Sequence, residues 1–266
     1  MIPVSEKIER DALAEIHAAA SDELRNELGL SGNVVDGGLT SVASALPDSA
    51  IVINRAIGVG LSRAATREDV ASIARSYRDA GVDRYFFQVH PNAAPEAIRD
   101  WLSDEELIKA RGWQKFMRGI EPAPDVSCDL RLEKIGNENG QDFATIVCNA
   151  FDLGDAAIPW LARLPTRPDW HVFMSFEGDQ PAGAGALFIR DGIAWSDFGA
   201  TDPGFRRRGS QGALLAKRID YAIQSGCREI HTCTGEDVAG DPQHSFRNIL
   251  KMGFSPTYVR ENYAPR

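Results

Sequence analysis

The sequence predicts an α/β protein with a mixed sheet, organised as two domains. Three observations support this fold class: helical and strand-like patterns alternate, glycine and proline residues separate them, and the order of elements repeats once. A length of 266 residues favours two domains over one. With 43% hydrophobic and 25% charged residues, the composition is that of an ordinary globular protein.

In the first half, apolar residues at helical spacing predict a helix from the first residues onward. A second helix follows from Thr66 as N-cap, Asp69 three residues later and Gly81 at its end. Pro91 ends the strand after that helix. The full prediction for this half is helices at 4–28, 66–81 and 95–110 and strands at 39–46, 50–61, 84–91 and 112–120.

The Pro-rich residues 121–125 are the predicted linker, which places the domains at 1–122 and 126–266. Beyond it, turns at 177–180 and at Asp191-Gly192 predict three antiparallel strands. Asp241-Pro242, an N-cap followed by a first-turn proline, opens the last helix, and Gly253 ends it. The full prediction for this half is helices at 142–151, 156–164, 209–226 and 241–253 and strands at 128–135, within 170–201, at 228–234 and at 254–262.

Both halves finish with a helix, a glycine, an aromatic residue and a strand that reaches an arginine. The two stretches are ARGWQKFMR, at 110–118, and KMGFSPTYVR, at 251–260. Their common order predicts an ancient internal duplication.

The chain is acidic, with a net charge of −9 and a pI near 5.1, which argues against nucleic acid as its main partner. No apolar run has the length of a membrane span, and the charged N-terminal stretch does not resemble a signal peptide. The four cysteines form no C-x-x-C pair, which argues against structural zinc and against a disulfide framework. We therefore expect a cytoplasmic protein, a monomer or a homodimer, with reduced thiols, no metal and no membrane partner.

Against this acidic background, the stretch RRRGSQGA at residues 206–213 joins a predicted strand to a predicted helix. N–H groups at a helix N-terminus attract anions, and arginine adds donors suited to phosphate oxygens. Glycine at position 209 admits a close neighbour to the backbone. Neither the P-loop pattern nor G-x-G-x-x-G with its downstream acid occurs. The turn therefore predicts a cradle for a pyrophosphate.

Residues 127–266 resemble the GNAT N-acetyltransferase superfamily. The resemblance rests on RRRGSQGA, which is similar to the family's acetyl-CoA signature, on the preceding Thr201-Asp202-Pro203 turn and on Gly253-Phe254 after the last helix. Gln211 departs from the signature, which has glycine or alanine there, and Gly212 follows directly. The resemblance implies acetyl-CoA as cosubstrate and a strand at 193–201 that splays from its neighbour at a bulge.

In this family, backbone groups of the splayed strand pair with the pantetheine arm, and N–H groups of the turn hold the pyrophosphate. A polar residue of the last helix offers its side chain to the coenzyme. The residues that the resemblance implies for coenzyme binding are Gly199, Ala200, Thr201, Arg206, Arg207, Arg208, Gly209, Ser210, Gln211, Gly212, Ala213 and Asn248.

Acetyl transfer to an amine needs an acceptor for the amine proton and is helped by an acid for the leaving thiolate. Ile249 stands where many GNAT proteins have the tyrosine acid, and Trp195 stands where many have the glutamate base. The substitute candidates are Asp197, Glu236, Asp237, His231 and His244 for the base and Tyr258 and Tyr263 for the acid. Each also has an ordinary structural interpretation, so the sequence alone secures no acid–base pair.

The first half has no arginine-glycine turn, because Ser62, Arg63, Ala64 and Ala65 occupy the corresponding place. It is either a GNAT-like repeat without a coenzyme site, as in tandem GNAT proteins, or an α/β domain with a coincidental order. The leading hypothesis is an acetyl-CoA-dependent N-acyltransferase in which a primary amine of a small molecule or peptide attacks the thioester directly. The alternative is a non-catalytic acyl-CoA sensor or interaction module, because both usual acid–base positions are replaced.

Overall fold

The structure is a computed structural model that describes residues 2–35, 37–241 and 243–266. The chain divides into two compact units, the first formed by Met1–Gln114 with Tyr258–Arg266 and the second by Lys115–Thr257. The change between units therefore falls at Gln114 and again at Thr257. The domain boundary at residues 122–126 stays a prediction.

The described residues form eight α-helices and eleven strands. The helices are α1 (Val4–Ala18), α2 (Asp22–Glu27), α3 (Arg67–Asp79), α4 (Ile98–Asp104), α5 (Gly140–Phe151), α6 (Ile158–Leu161), α7 (Ser210–Gln224) and α8 (His244–Lys251). The strands are β1 (Leu30–Val35), β2 (Gly38–Ala43), β3 (Arg55–Ile57), β4 (Phe86–Val89), β5 (Leu107–Arg118), β6 (Arg131–Lys134), β7 (Trp170–Glu177), β8 (Gln180–Arg190), β9 (Ile193–Thr201), β10 (Glu229–Gly235) and β11 (Ser255–Pro265).

The first unit contains a mixed sheet in the order β1-β2-β3-β4-β11-β5, to which β5 contributes residues 107–114 and β11 residues 258–265. Strands β3 and β4 are parallel, whereas β1–β2, β2–β3 and β4–β11 are antiparallel. Helix α3 packs on this sheet through Val70, Ala74 and Tyr77. The predicted start of α3 is confirmed, because Thr66 and Asp69 form a capping box.

The first unit also buries a cluster of charged side chains. Glu9, on α1, accepts hydrogen bonds from Arg55 Nη1 at 2.5 Å and from Arg260 Nη1 and Nη2 at 2.5 and 2.8 Å. Glu6, one turn earlier, contacts Arg260 at 3.1 Å and accepts a hydrogen bond from the Tyr258 hydroxyl at 2.5 Å. Because Glu9 and Arg260 are fully buried, these bonds tie α1 to the sheet of its own unit.

The second unit contains a mixed sheet in the order β5-β10-β9-β8-β7-β6, with residues 115–118 of β5 at one end. Strands β6 to β9 pair antiparallel in succession, and β9 pairs parallel with β10. The predicted turn between β8 and β9 is confirmed, since Asp191 and Gly192 both have positive φ, 54° and 71°. Helices α7 and α8 pack on the sheet through an apolar core that includes Leu214, Ile219 and Ile249.

Three predictions about the first unit were wrong. The helix expected over residues 4–28 is two helices, because the Ser21 side chain accepts from the Leu24 N–H and starts α2. The strand expected at 50–61 is reduced to β3, since residues 50–54 form turns. The helix expected at 95–110 ends at Asp104, and Glu106 has a φ of 61°, which reverses the chain into β5.

Helix α8 begins later than predicted, at His244, with Gln243 at the N-cap position. Pro242, expected in the first turn of this helix, lies outside the described residues. The predicted end of the helix is confirmed by Gly253, whose φ is 79°.

Candidate active site

Strand β9 separates from β10 partway along its length. The paired positions are Glu229 with Ile193, Ile230 with Ala194 and His231 with Trp195, so the second half of β9 lies beyond them. On its other side, Phe198 and Gly199 stand opposite the single residue Gly185 of β8, which is a β-bulge. This geometry confirms the expected bulge and splay, and it leaves the edge of residues 199–201 open.

Helix α7 begins at the end of that edge. Its N-cap is Gly209, with a φ of 83°, and the Ala213 N–H donates to the Gly209 carbonyl at 3.0 Å. Among the described residues, no protein acceptor binds the backbone N–H groups of residues 206–212. A helix N-terminus with several uncommitted donors and its dipole is suited to an anion.

A cleft of about 1240 Å³ lies at this point of the second unit. It is lined by the end of β9, the residues between β9 and α7, the start of α7, helix α8, the extended residues 124–127 and Ala150 of α5. Of the residues predicted to bind coenzyme, the cleft is lined by Gly199, Ala200, Thr201, Arg206, Arg207, Gly209, Ser210, Gln211, Gly212 and Asn248, but not by Arg208 or Ala213. The structure therefore brings most of this predicted set together.

The three consecutive arginines have different surroundings. The Arg208 guanidinium donates to Asp129 at 2.6 and 3.1 Å and to Glu177 at 2.7 Å, which turns it away from the cleft. Its hydrogen bond lowers the pKa of the Asp129 carboxyl below its usual value. Arg206 and Arg207 line the cleft, are exposed, and have no acidic partner in the part of the chain that the structure describes. Their two charges are therefore available to a ligand.

Gly209 is required by a neighbouring backbone as well as by its φ. A Cβ at this position would lie 2.1 Å from the Ser127 carbonyl oxygen, and a Cβ at Gly212 would lie 3.1 Å from a methyl group of Val126. The residues before β6 thus pack against the start of α7. The close neighbour that the glycine admits in this structure is Ser127.

Two side-chain contacts fix the first turn of α7. Ser210 Oγ lies 2.8 Å from Ser175 Oγ of β7, and Gln211 Oε1 accepts a hydrogen bond from Asn248 Nδ2 at 2.6 Å. At the end of β9, the buried Thr201 Oγ1 has no hydrogen-bond partner among the described residues. The cleft wall thus contains an uncommitted hydroxyl beside an open strand edge.

The four predicted catalytic residues do not meet in this cleft. Asp197 Oδ2 accepts from the indole N–H of Trp195 at 2.9 Å, and its Oδ1 accepts from the Phe198 N–H at 2.8 Å. Glu236 follows β10, and neither it nor Asp197 lines the cleft. Their roles as bases therefore stay predictions.

Tyr258 and Tyr263 belong to the first unit. The Tyr258 hydroxyl donates to Glu6, and burial raises its pKa far above the usual range. Tyr263 lies in the apolar core of that unit, and burial raises its pKa as well. Both hydroxyls are thus held in the protonated form, and their roles as acids also stay predictions.

The other residues considered for proton transfer have separate places. His231 is buried, with Nε2 3.2 Å from a Glu229 carboxylate oxygen, and burial lowers its pKa. His244 is exposed and lines the cleft at the start of α8. Asp237 accepts from the Gln243 N–H at 3.0 Å and so shapes the loop before α8.

Sequence interpretation missed Arg218, a buried arginine on α7 that binds the bulge of β9. The apolar stripe of this helix consists of Leu215, Ile219 and Ile223, of which Ile223 is only half-buried. The sequence contains a pattern that indicates the burial of Arg218, because Leu214, Arg218 and Ala222 are spaced four residues apart and form a row beside that stripe. A charge in such a row indicates a specific buried acceptor.

Part of the chain matches a known protein family. The family model described as Acetyltransferase (GNAT) family matches residues 147–254, which include every element from β7 to α8. Residues 147–254 form a GNAT acetyltransferase domain. Acyl transfer from acetyl-CoA is the chemistry that membership of this family implies, and the resemblance noted from the sequence is confirmed.

Solved structures similar to the chain have the GNAT fold. A GCN5-related N-acetyltransferase from Kribbella flavida aligns with a TM-score of 0.63 and 13% identity, over 100% of this chain and 96% of that one. A GCN5-related N-acetyltransferase from Sphaerobacter thermophilus aligns with a TM-score of 0.59 and 14% identity, over 99% and 93%. A tandem GNAT protein from the clavulanic acid biosynthesis pathway aligns with a TM-score of 0.56 and 13% identity, over 79% of this chain and 73% of that one. These likenesses confirm the fold class, an α/β mixed-sheet GNAT fold that extends beyond the matched domain.

No curated protein sequence matches the chain. Within the described residues, no helix has both the length and the apolar character needed to cross a membrane. The same residues contain no group of three histidine, cysteine or acidic side chains arranged for a metal ion.

Proposed function

We propose that the protein is an acetyl-CoA-dependent N-acetyltransferase that acylates a primary amine of a small molecule or peptide. The observation that carries this proposal is one cleft in which three features converge: the N–H groups that start α7 and the side chains of Arg206 and Arg207, neither of which has a partner in the part of the chain that the structure describes, and the open edge of β9. The GNAT family match supports acetyl-CoA as the donor.

The residues of the cleft fit the coenzyme piece by piece. A pyrophosphate needs donors and positive charge, which the N–H groups of residues 207–212 and the two arginines supply. A pantetheine arm carries amides that can pair with a strand edge, as residues 199–201 offer. Arg208 contributes its N–H, since its guanidinium is bound by Asp129 and Glu177. Asn248 is the side chain on α8 that we assign to the coenzyme.

The proposed reaction is direct attack. The amine nitrogen forms a C–N bond with the thioester carbonyl carbon, the C–S bond breaks, and coenzyme A leaves with the sulfur electron pair. The amine loses a proton to a base or to water, and the thiolate gains one. Asp197 and Glu236 are the proposed bases and Tyr258 and Tyr263 the proposed acids. The attack itself needs no metal, because alignment of amine and thioester supplies much of the rate.

A second candidate function is a non-catalytic acyl-CoA sensor or interaction module. Trp195 and Ile249, at the family's usual base and acid positions, are both buried, at 1% and 7% exposure. Asp197, the nearest acid on β9, already accepts two hydrogen bonds. This arrangement would suit a protein that binds the coenzyme without using it.

Calorimetric titration with acetyl-CoA tests the binding. We expect micromolar affinity for the wild type and a loss of at least about tenfold in the double variant Arg206→Gln, Arg207→Gln, since charge-assisted bonds to phosphate are among the stronger ones. The control is Arg208→Gln, which removes one positive charge from a side chain outside the cleft, whereas the double variant removes two from within it. Equal losses in both proteins, or no binding by the wild type, would contradict the proposal.

Thiol release distinguishes the two functions. The wild type is incubated with acetyl-CoA and a panel of amines that includes a polyamine, an amino sugar and a peptide with a free N-terminus. Release of coenzyme A thiol together with an acetylated amine supports the transferase. Tight binding without release across the panel supports the sensor.

A further inference from the structure

We propose that Arg218 is a positioning residue that holds the β9 bulge, and thereby the strand edge of the coenzyme cleft, in its binding geometry. This inference rests on the proposed function, because its consequence is measured as acetyl-CoA affinity. Arg218 itself does not line the cleft. It would act through the backbone of residues 197–201.

The Arg218 guanidinium binds where the ladder between β8 and β9 is interrupted. Its Nη1 contacts Ser196 Oγ at 2.7 Å, the Asp197 carbonyl at 3.0 Å and the Ala186 carbonyl at 3.4 Å, while its Nε donates to the Leu214 carbonyl at 3.1 Å. Asp197 and Ala186 are the last paired residues before the bulge. A single nitrogen, Nη1, thus contacts acceptors on both strands, while Nε of the same planar group binds a carbonyl of α7 itself.

Two glycines make room for this guanidinium. A Cβ at Gly185 would lie 2.8 Å from Arg218 Cζ, and a Cβ at Gly199 would lie 3.4 Å from Nη2. These are the residues that face each other across the bulge. The bulge and the arginine therefore occupy one close-packed space, in which neither can shift alone.

The charge of Arg218 shows that this contact is specific. The side chain is 4% exposed, and its hydrogen bonds go to carbonyls and a hydroxyl, with the Asp197 carboxylate as the nearby opposite charge. Burial lowers its pKa to about 10, so it stays protonated at neutral pH. An aliphatic residue, such as the neighbouring Leu215 and Ile219, would fill the position without desolvating a charge. The donors are what the position requires.

The bulge contains backbone strain that must be held from outside. Phe198 has a φ of 49°, in the left-handed region that side-chain-bearing residues rarely adopt. Its ring contacts the aromatic rings of Phe143, Phe151 and Trp170, and the carbonyl directly before it is bound by Arg218. The next residues along the chain are the edge that lines the cleft. If the Asp197 carbonyl lost its hydrogen bond to Arg218, the strand edge at residues 199–201 could rotate out of its binding geometry.

The test is a double-mutant cycle of Gly185→Ala and Arg218→Met, with acetyl-CoA affinity measured by calorimetry on protein confirmed as folded by circular dichroism. Gly185 lies on β8 and does not line the cleft, so it can change affinity only through the bulge and Arg218. We expect each single variant to weaken affinity by about tenfold, the value of roughly two ordinary hydrogen bonds. The double variant should be no weaker than Arg218→Met alone.

The control is Lys217→Met, which removes a positive charge from the exposed side of the same helix and should leave affinity unchanged. If Arg218→Met folds and binds as the wild type does, or if the two losses multiply to about a hundredfold, the inference is overturned. If Arg218→Met does not fold, Gly185→Ala decides, because wild-type affinity in that variant overturns the inference as well. If the wild type itself does not bind, the proposed function fails and the inference fails with it.

Discussion

Asn248 Nδ2 donates a hydrogen bond of 2.6 Å to Gln211 Oε1 and so joins α8 to the first turn of α7 at the cleft. Both residues line the cleft. Gln211 is the residue that departs from the family signature, and its side chain is held by the residue expected to contact coenzyme. The Gln211 side chain, which departs from the signature, therefore has a hydrogen-bond partner on α8.

Asn248→Ala should weaken acetyl-CoA affinity by about threefold to tenfold. The substitution removes the polar contact that we propose to the coenzyme and also frees Gln211 within the cleft, and a single hydrogen bond contributes a factor of that size. Calorimetry measures the change. Leu250→Ala, on the exposed side of the same helix, is the control and should bind as the wild type does. Unchanged affinity in Asn248→Ala would remove this residue from the site.

Gly209→Ala should lower the free energy of unfolding by more than about 3 kcal/mol. A left-handed conformation costs an alanine about 1–2 kcal/mol, and the added Cβ would lie 2.1 Å from the Ser127 carbonyl oxygen. Urea unfolding of Gly178→Ala provides the control. Gly178 also has a positive φ, 57°, but no atom within 4 Å of the added Cβ, so that variant should lose only the conformational part. Equal losses in the two variants would show that the Ser127 contact does not matter.

The stability of the protein should fall between pH 7 and pH 5 because of His17. Burial lowers the pKa of this histidine from 6.5 to about 4, so the unfolded chain binds more protons than the folded one in this range. The stability that the neutral, buried His17 contributes is lost as pH falls from about 6.5 to about 4, and below pH 4 this histidine causes no further change. His17→Gln should remove about 2 kcal/mol of the difference between the two pH values.

Urea unfolding of the wild type and of His17→Gln at pH 7 and pH 5 measures this. Glutamine can keep a hydrogen bond to Ser41, which His17 Nε2 contacts at 2.7 Å. His171, whose pKa burial also lowers to about 4, remains in both proteins and accounts for a residual dependence. The same pH dependence in both proteins would show that His17 titrates normally.

Glu9→Ala should destabilise the protein by about 3–5 kcal/mol, because it leaves Arg55 and Arg260 buried without their shared carboxylate. Lys7→Ala, which breaks an exposed pair with Asp11 on the same helix, should cost less than about 1 kcal/mol. Urea unfolding compares the two. A small effect of Glu9→Ala would mean that Glu6 and water compensate both arginines.

The sequence was most informative where local chemistry sets the structure. The capping box of Thr66 and Asp69, the turn at Asp191-Gly192 and the start of α7 at Gly209 each depend on residues close in the chain, and each was located correctly. The predictions failed where a local signal had to compete with the rest of the fold. Residues 107–110 have apolar positions that fit a helix, yet they are part of β5 because sheet pairing overrides propensity.

The candidate site divides in the same way. The pattern at residues 206–213 was sufficient to locate the start of α7 beside the cleft, because the donors of a helix N-terminus come from one turn of backbone. It could not distinguish Arg208 from its neighbours, since Asp129 and Glu177 are 79 and 31 residues away in the chain. Nor could it place Tyr258 and Tyr263, which follow the cradle in sequence but belong to the first unit.

By itself, the sequence determined the fold class, the family resemblance and the position of the helix start that lines the cleft, because alternation of apolar residues, turn chemistry and helix capping act over a few residues. Tertiary structure alone decided which arginines face the cleft, that Ser127 requires Gly209 to be glycine, and that Arg218 binds the bulge of β9. Those outcomes depend on which distant charges and carbonyls are brought within hydrogen-bond distance. That choice is made by packing of the whole core, which no local pattern encodes.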